Sequence, residues 1–136
     1  MTIRSPGRLA AAIVAGFLVA RLAFAAMLGP GVDESYTLAI SRTLALSYFD
    51  HPPLHQWIAH GAAQIFGEGL GARLPFILLF AATGWVYYRM TAGLFGPRAG
   101  VVALFALNAA PFFFASAGTW IVPDGPLLFA LAVAAR

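Results

Sequence analysis

The sequence predicts an all-α, polytopic transmembrane helix bundle with interfacial helices carried in a long first extracytoplasmic loop. Composition points there first: 61% of residues are hydrophobic, 10% are charged and the mean hydropathy is +0.83, whereas soluble domains carry about 25% charged residues. The second observation is a series of uncharged or nearly uncharged stretches close to the roughly 20 residues that cross a bilayer core. The third is that the five acidic residues fall between those stretches. All eight basic residues are scattered arginines and the formal charge is only +3. No polybasic run exists, which argues against a nucleic-acid partner. The absence of cysteine excludes disulfides and thiolate metal sites.

The first span is expected over 9–28, interrupted by Arg21. Arg4 and Arg8 ahead of it resemble the start of a secretory signal, but the apolar stretch is too long and Ala25-Ala26-Met27 is a poor cleavage site, so the helix is retained. After Gly29-Pro30-Gly31, an amphipathic helix is expected over 33–47, with Asp33 as N-cap, Glu34 in the first turn and Tyr36, Ile40 and Leu44 at helical spacing. Pro52-Pro53 then opens a segment over 54–66 that is uncharged yet carries His55, Gln56, Trp57, His60 and Gln64. It reads either as a short span or as a helix lying in the interface. Counting arginines favours the interface, because only then do Arg4, Arg8, Arg89, Arg98 and Arg136 share the cytoplasmic side. Further spans are expected over 74–95, over 99–117 with Gly118 and Pro123 ending the helix, and over 125–136.

Gly84, Gly93 and Gly100 favour close helix contacts. Phe112-Phe113-Phe114 with Trp120 reads as an aromatic belt or lipid-tail wall, and Asn108 as a hydrogen-bonding partner for a neighbouring helix. With the last hydrophobic segment ending at Arg136, the chain is expected to be the N-terminal part of a longer transmembrane domain, a fragment inactive by itself, in the cell (inner) membrane. This topology gathers Asp33, Glu34, Asp50 and Asp124 at the outer boundary of the bilayer.

Three motifs in this order carry a resemblance. They are Asp33-Glu34 after the first span, then Tyr48-Phe49-Asp50-His51-Pro52-Pro53-Leu54, then Val122-Pro123-Asp124-Gly125-Pro126-Leu127 after two further spans. Together with Arg21 and Gly71-Ala72-Arg73-Leu74-Pro75, they resemble the membrane glycosyltransferases of the GT-C superfamily. The likeness is nearest to its dolichyl-phosphate-mannose protein mannosyltransferase and aminoarabinose or galacturonic acid transferase branch. The resemblance implies an enzyme that moves a sugar from a polyprenyl-phosphate donor to a glycan, lipid or protein acceptor outside the membrane. It implies Asp33 as catalytic base or acceptor-orienting group, with Asp124 in the same site and Glu34 beside it. Asp50 lies close by as a possible metal ligand, and His51 suits the donor phosphate.

The chemistry is consistent with those residue types. A glycosyl phosphate already carries a good leaving group, so the protein must chiefly supply a carboxylate to take the acceptor proton and to face an oxocarbenium-like transition state. Attack from the opposite face predicts inversion at the anomeric carbon. The leaving phosphate calls for cations, for which Arg21, Arg73 and His51 are candidates. An arginine within a span is a functional hypothesis by default, though Arg21 lies only about 10 Å of helix rise from the outer end and can snorkel to the headgroups. A divalent ion held by Asp50, His51 and His55 competes with histidines that serve only structure. No cofactor is otherwise implied. A transporter and a noncatalytic multi-span subunit remain alternatives, the former expected to place acids near the midplane.

Overall fold

The computed structural model describes residues 5–136; Arg4, counted above for orientation, lies outside them. The described residues form six α-helices and one π-helical turn, without a strand. The helices are α1 (Pro6–Met27), α2 (Val32–Ser41), α3 (Pro53–Phe66), α4 (Leu70–Phe95), α5 (Pro97–Ala109) and α6 (Asp124–Ala134), with the π-helical turn at Phe113–Ala117. Helices α1 and α4 are long and apolar enough to cross a membrane, while α5 and α6 are shorter apolar helices.

Helices α1, α4, α5 and α6 alternate in direction. At one end Ala10 and Tyr88 share a core cluster with Leu104, and Met90 and Gly93 of α4 line a shallow depression with Ala135 and Arg136. Close approach of α5 to α4 depends on Gly100, where a Cβ would stand 2.9 Å from both the Tyr88 carbonyl oxygen and the Ala92 methyl. Gly93, expected to do the same, has no such neighbour. At the opposite end the C-terminus of α1 meets the start of α4 through Arg73, and the start of α2 meets the loop before α6 through Glu34. Helices α2 and α3 occupy that end. Helix α3 lies across it: its first turn faces α6 beside Pro123 and Pro126, and its last turn abuts the start of α4, where a Cβ on Gly71 would collide with the Phe66 backbone. Arg8, Arg89, Arg98 and Arg136 therefore sit at one end of the bundle, and Asp33, Glu34, Asp50 and Asp124 at the other.

Four element boundaries differ from expectation. Helix α2 is capped by Gly31, with Asp33 at the second helical position. Glu34 Oε2 accepts the Gly31 N–H at 2.9 Å, which satisfies an end group the glycine itself cannot reach. The same helix stops at Ser41 instead of 47, its last turn closed by the Ser41 hydroxyl on the Leu38 carbonyl. Helix α4 starts at Leu70 and carries Pro75 inside it. The stretch 99–117 is not one helix: α5 ends at Ala109 because Pro111 forces Ala110 into extended backbone (φ −65°, ψ 126°), and the chain resumes as the π-helical turn.

The polar decoration of α3 follows from what it rests on. Trp57 Nε1 donates to the Ala45 carbonyl at 2.9 Å and His60 Nδ1 lies 2.8 Å from the Ser41 carbonyl. The Ser41 carbonyl is one freed where α2 ends, and the Ala45 carbonyl belongs to the loop that follows. Beneath them Leu38, Ala59, Ala72, Phe76 and Ile121 form one core, which joins four segments at the acidic end.

Candidate active site

The centre of the acidic end is a buried ion pair. Glu34 is fully enclosed and Arg73 is 1% exposed. Arg73 Nε donates to Glu34 Oε1 at 2.7 Å and Nη2 donates to Oε2 at 2.6 Å. The other guanidinium protons go to backbone: Nη1 to the carbonyls of Ala25 (2.7 Å) and Leu28 (2.8 Å), Nη2 also to that of Gly29 (2.9 Å). All five N–H donors of Arg73 are used, three of them on carbonyls released where α1 ends. Glu34 in turn accepts four hydrogen bonds, two from Arg73, one from Gly31 N–H and one from Ile121 N–H at 3.1 Å. That fills the lone-pair sites of a carboxylate. As folded, Arg73 has no donor free for a phosphate and Glu34 has no lone pair free for a proton. Sequence placed both in the chemistry; the structure commits both to holding α1, α2, α4 and the Asp124 loop together.

The pair nevertheless organises the candidate site. Asp33, exposed on the first turn of α2, adjoins Glu34 in sequence, and Asp124 follows Ile121 by one short turn. One carboxylate therefore ties the two segments that carry the candidate acids. Tyr36, one helical turn beyond Asp33, donates its hydroxyl to Asp50 Oδ2 at 2.8 Å. His51 Nδ1 stands 3.0 Å from Asp50 Oδ1. The His51 ring packs at 5.6 Å from the Tyr36 ring and 5.4 Å from that of His55. The His51 contact, then the Tyr36 hydroxyl, holds the Asp50 carboxyl below its ordinary range, and the same bond raises the Tyr36 hydroxyl.

The prolines shape this cluster. Pro52 and Pro53 start α3 directly after His51, with Pro53 at the first helical position, where its missing N–H costs nothing. His55 Nδ1 lies 2.8 Å from the Pro52 carbonyl, leaving Nε2 buried and without a partner. Burial pushes the His55 imidazole below its ordinary value. An apolar cleft of about 240 Å³ opens beside it, walled by Leu54 on one side and Pro126, Leu127 and Ala130 on the other. Among the described residues no three His, Asp or Glu side chains converge as a metal site. Asp50, the candidate ligand, has one oxygen bonded to Tyr36 and the other against His51.

Arg21 is also elsewhere than expected. It is 1% exposed, so it neither snorkels nor faces the cleft. Nη1 donates to Asn108 Oδ1 at 2.8 Å, and its guanidinium lies 4.5 Å from the Phe80 ring centroid and 5.1 Å from that of Phe114. Phe113 stacks on Phe80, so of the three successive phenylalanines only Phe112 is largely exposed. Phe113 and Phe114 are partly exposed, Phe113 packing on Phe80 and Phe114 against Phe17 and Phe24. Tyr36 and Asn108 are the contributors that sequence reasoning did not assign to the site, and His55 entered it only as a candidate metal ligand. Tyr36 carried a signal in its spacing from Asp33, and Asn108, expected to hydrogen-bond to a neighbouring helix, does so with Arg21 of α1.

A family model described as dolichyl-phosphate-mannose-protein mannosyltransferase matches residues 50–135. No curated protein and no solved structure matches the chain. The matched region begins at Asp50 and takes in His51, Pro52-Pro53, Arg73 and Asp124, the residues from which most of the acidic end is built. With more than half its length matched, the chain belongs to the dolichyl-phosphate-mannose-protein mannosyltransferase family, a family of membrane glycosyltransferases.

Proposed function

We propose that this chain forms part of an inverting transferase that moves a sugar from a polyprenyl-phosphate donor to a hydroxyl-bearing acceptor at the extracytoplasmic face of the cell membrane. In this reading α1, α4, the broken α5 segment and α6 cross the bilayer, and α2 and α3 rest on its outer surface. The arginine-rich end faces the cytoplasm, as the positive-inside rule requires. The observation that carries the reading is the hydrogen bond from Ile121 N–H to Glu34, which brings the Asp33 and Asp124 segments to one end of the bundle beside Asp50 and His51.

Asp33 is the acceptor base. It is exposed and makes no side-chain hydrogen bond among the described residues, so its lone pairs are free to take a proton. Asp124 shares the site and strengthens the negative field that an oxocarbenium-like transition state requires. His51, set against Asp50 and packed between the tilted rings of Tyr36 and His55, is the group that meets the donor phosphate. Glu34 and Arg73 are the frame. The test is Asp33→Asn in the intact protein, assayed by transfer from a polyprenyl-phosphate sugar in membranes. Loss of transfer with unchanged expression and thermal stability is expected; full activity in that variant would remove Asp33 from the mechanism.

A further inference from the structure

Arg21 is a charged side chain deep in α1, and no carboxylate lies within 4.0 Å of it among the described residues. Its surroundings are neutral, and they leave Nε buried without a hydrogen-bond partner. Asn108 presents Oδ1 to Nη1 because its own Nδ2 donates to the Leu104 carbonyl one turn back, at 2.9 Å, which fixes the amide's orientation. Nη2 reaches toward the Phe113 carbonyl at 3.4 Å, an oxygen at the start of the π-helical turn. Three aromatic faces surround the guanidinium, those of Phe80, Phe114 and Phe17. On the remaining side, Gly118 lets the backbone close onto the group: a Cβ there would stand 2.6 Å from Arg21 Nε.

Every one of these contacts lands on the broken segment between α5 and α6, or on the helices that clasp it. Pro111 ends the regular hydrogen-bonding of α5 and leaves carbonyls in apolar surroundings. A planar guanidinium can serve an amide oxygen and a backbone carbonyl while lying flat against aromatic rings; a lysine ammonium cannot. We propose that Arg21 and Asn108 are a positioning pair that holds this break in shape, and thereby sets the Asp124 loop against the start of α3, and that Arg21 does not bind the donor phosphate. The proposal rests on the assignment of Asp124 to the site made above.

The test separates geometry from chemistry. The chain has no cysteine, so cysteines placed at Leu54 and Leu127, which face each other across the cleft between α3 and α6, report the seating of α6 through their rate of bis-maleimide cross-linking in membranes. Arg21→Ala in the intact protein should slow cross-linking by about tenfold or more, the scale expected when hydrogen bonds to a charged group are lost. Arg21→Lys should slow it by a smaller factor, and Asn108→Asp, in which the counter-charge to Arg21 offsets the lost Nδ2 bond to the Leu104 carbonyl, should leave it within about twofold of the parent. The double variant Arg21→Lys with Asn108→Asp should recover the parent rate, because an ion pair replaces the lost amide contact.

Unchanged cross-linking in Arg21→Ala would overturn the proposal. So would an Asn108→Asp variant with parental cross-linking and a collapsed affinity for the donor, the behaviour of an arginine whose charge serves a phosphate. Should Arg21→Ala fail to accumulate, Asn108→Ala and the double variant carry the same comparison. Asp124→Asn, expected to abolish transfer without changing cross-linking, keeps the two claims apart. Its full activity would defeat the assignment of Asp124 while leaving the geometric result standing.

Discussion

Replacing Glu34 by Gln keeps the shape of the side chain and removes its charge, which makes it the most demanding test of the frame. The carboxylate accepts four hydrogen bonds, two at each oxygen. A glutamine amide has one accepting end, so whichever way it turns, two of those contacts become donor against donor. Its NH2 would face either Arg73 Nε and Ile121 N–H, or Arg73 Nη2 and Gly31 N–H. Arg73 meanwhile remains charged at 1% exposure with only carbonyl dipoles to compensate it. Removing one partner of a buried pair typically costs about 3–5 kcal/mol. At roughly 2–4 °C per kcal/mol for a chain of this order, the unfolding midpoint should fall by about 6–20 °C. Tryptophan fluorescence of the purified protein in lipid nanodiscs follows the transition. A midpoint within about 2 °C of the parent would refute the claim that this pair holds the acidic end together. A double Glu34→Met and Arg73→Met variant should recover only part of the loss, because the Ala25, Leu28 and Gly29 carbonyls stay without donors.

Two further outcomes concern pH. Burial lowers the His55 pKa from 6.5, so the unfolded chain binds the proton more readily. The stability that His55 contributes is complete above pH 6.5 and is lost as pH falls below it. His55→Gln should flatten that part of the stability profile, and an unchanged acid slope would show that another group controls it. Tyr36→Phe removes one of the two contacts that keep the Asp50 carboxyl low. Any acid limb of activity set by Asp50 should therefore move to higher pH, with little change in thermal midpoint because the pair is exposed; a limb that stays in place would mean that Asp50 does not control it.

Much of the fold was legible because it depends on local composition. The positions of α1 and of α4 follow from apolar length, and the start of α3 follows from Pro52-Pro53. The break after α5 was also written locally, in Pro111, yet an uncharged run concealed it: hydropathy registers how apolar a stretch is and is blind to whether its backbone can continue. The acidic end shows the same division. Asp33, Asp50, His51 and Asp124 were conspicuous as polar residues at span boundaries, and the resemblance to GT-C transferases rested on them.

The roles of Glu34, Arg73 and Arg21 were not legible in the same way. From sequence alone a cation near the outer boundary reads as a phosphate ligand, and a glutamate beside an aspartate reads as its partner in chemistry. Which donors and acceptors each side chain has left over depends on contacts between segments far apart in the chain, such as Arg73 with Gly29 and Glu34 with Ile121. Sequence by itself determined that this protein is built of apolar helices, with its acids gathered at their ends, because hydrophobicity and charge are properties of individual residues. Only the tertiary structure decided which of those charges are occupied in holding helices together and which are free to meet a substrate, because hydrogen-bonding capacity is finite and is allotted by packing.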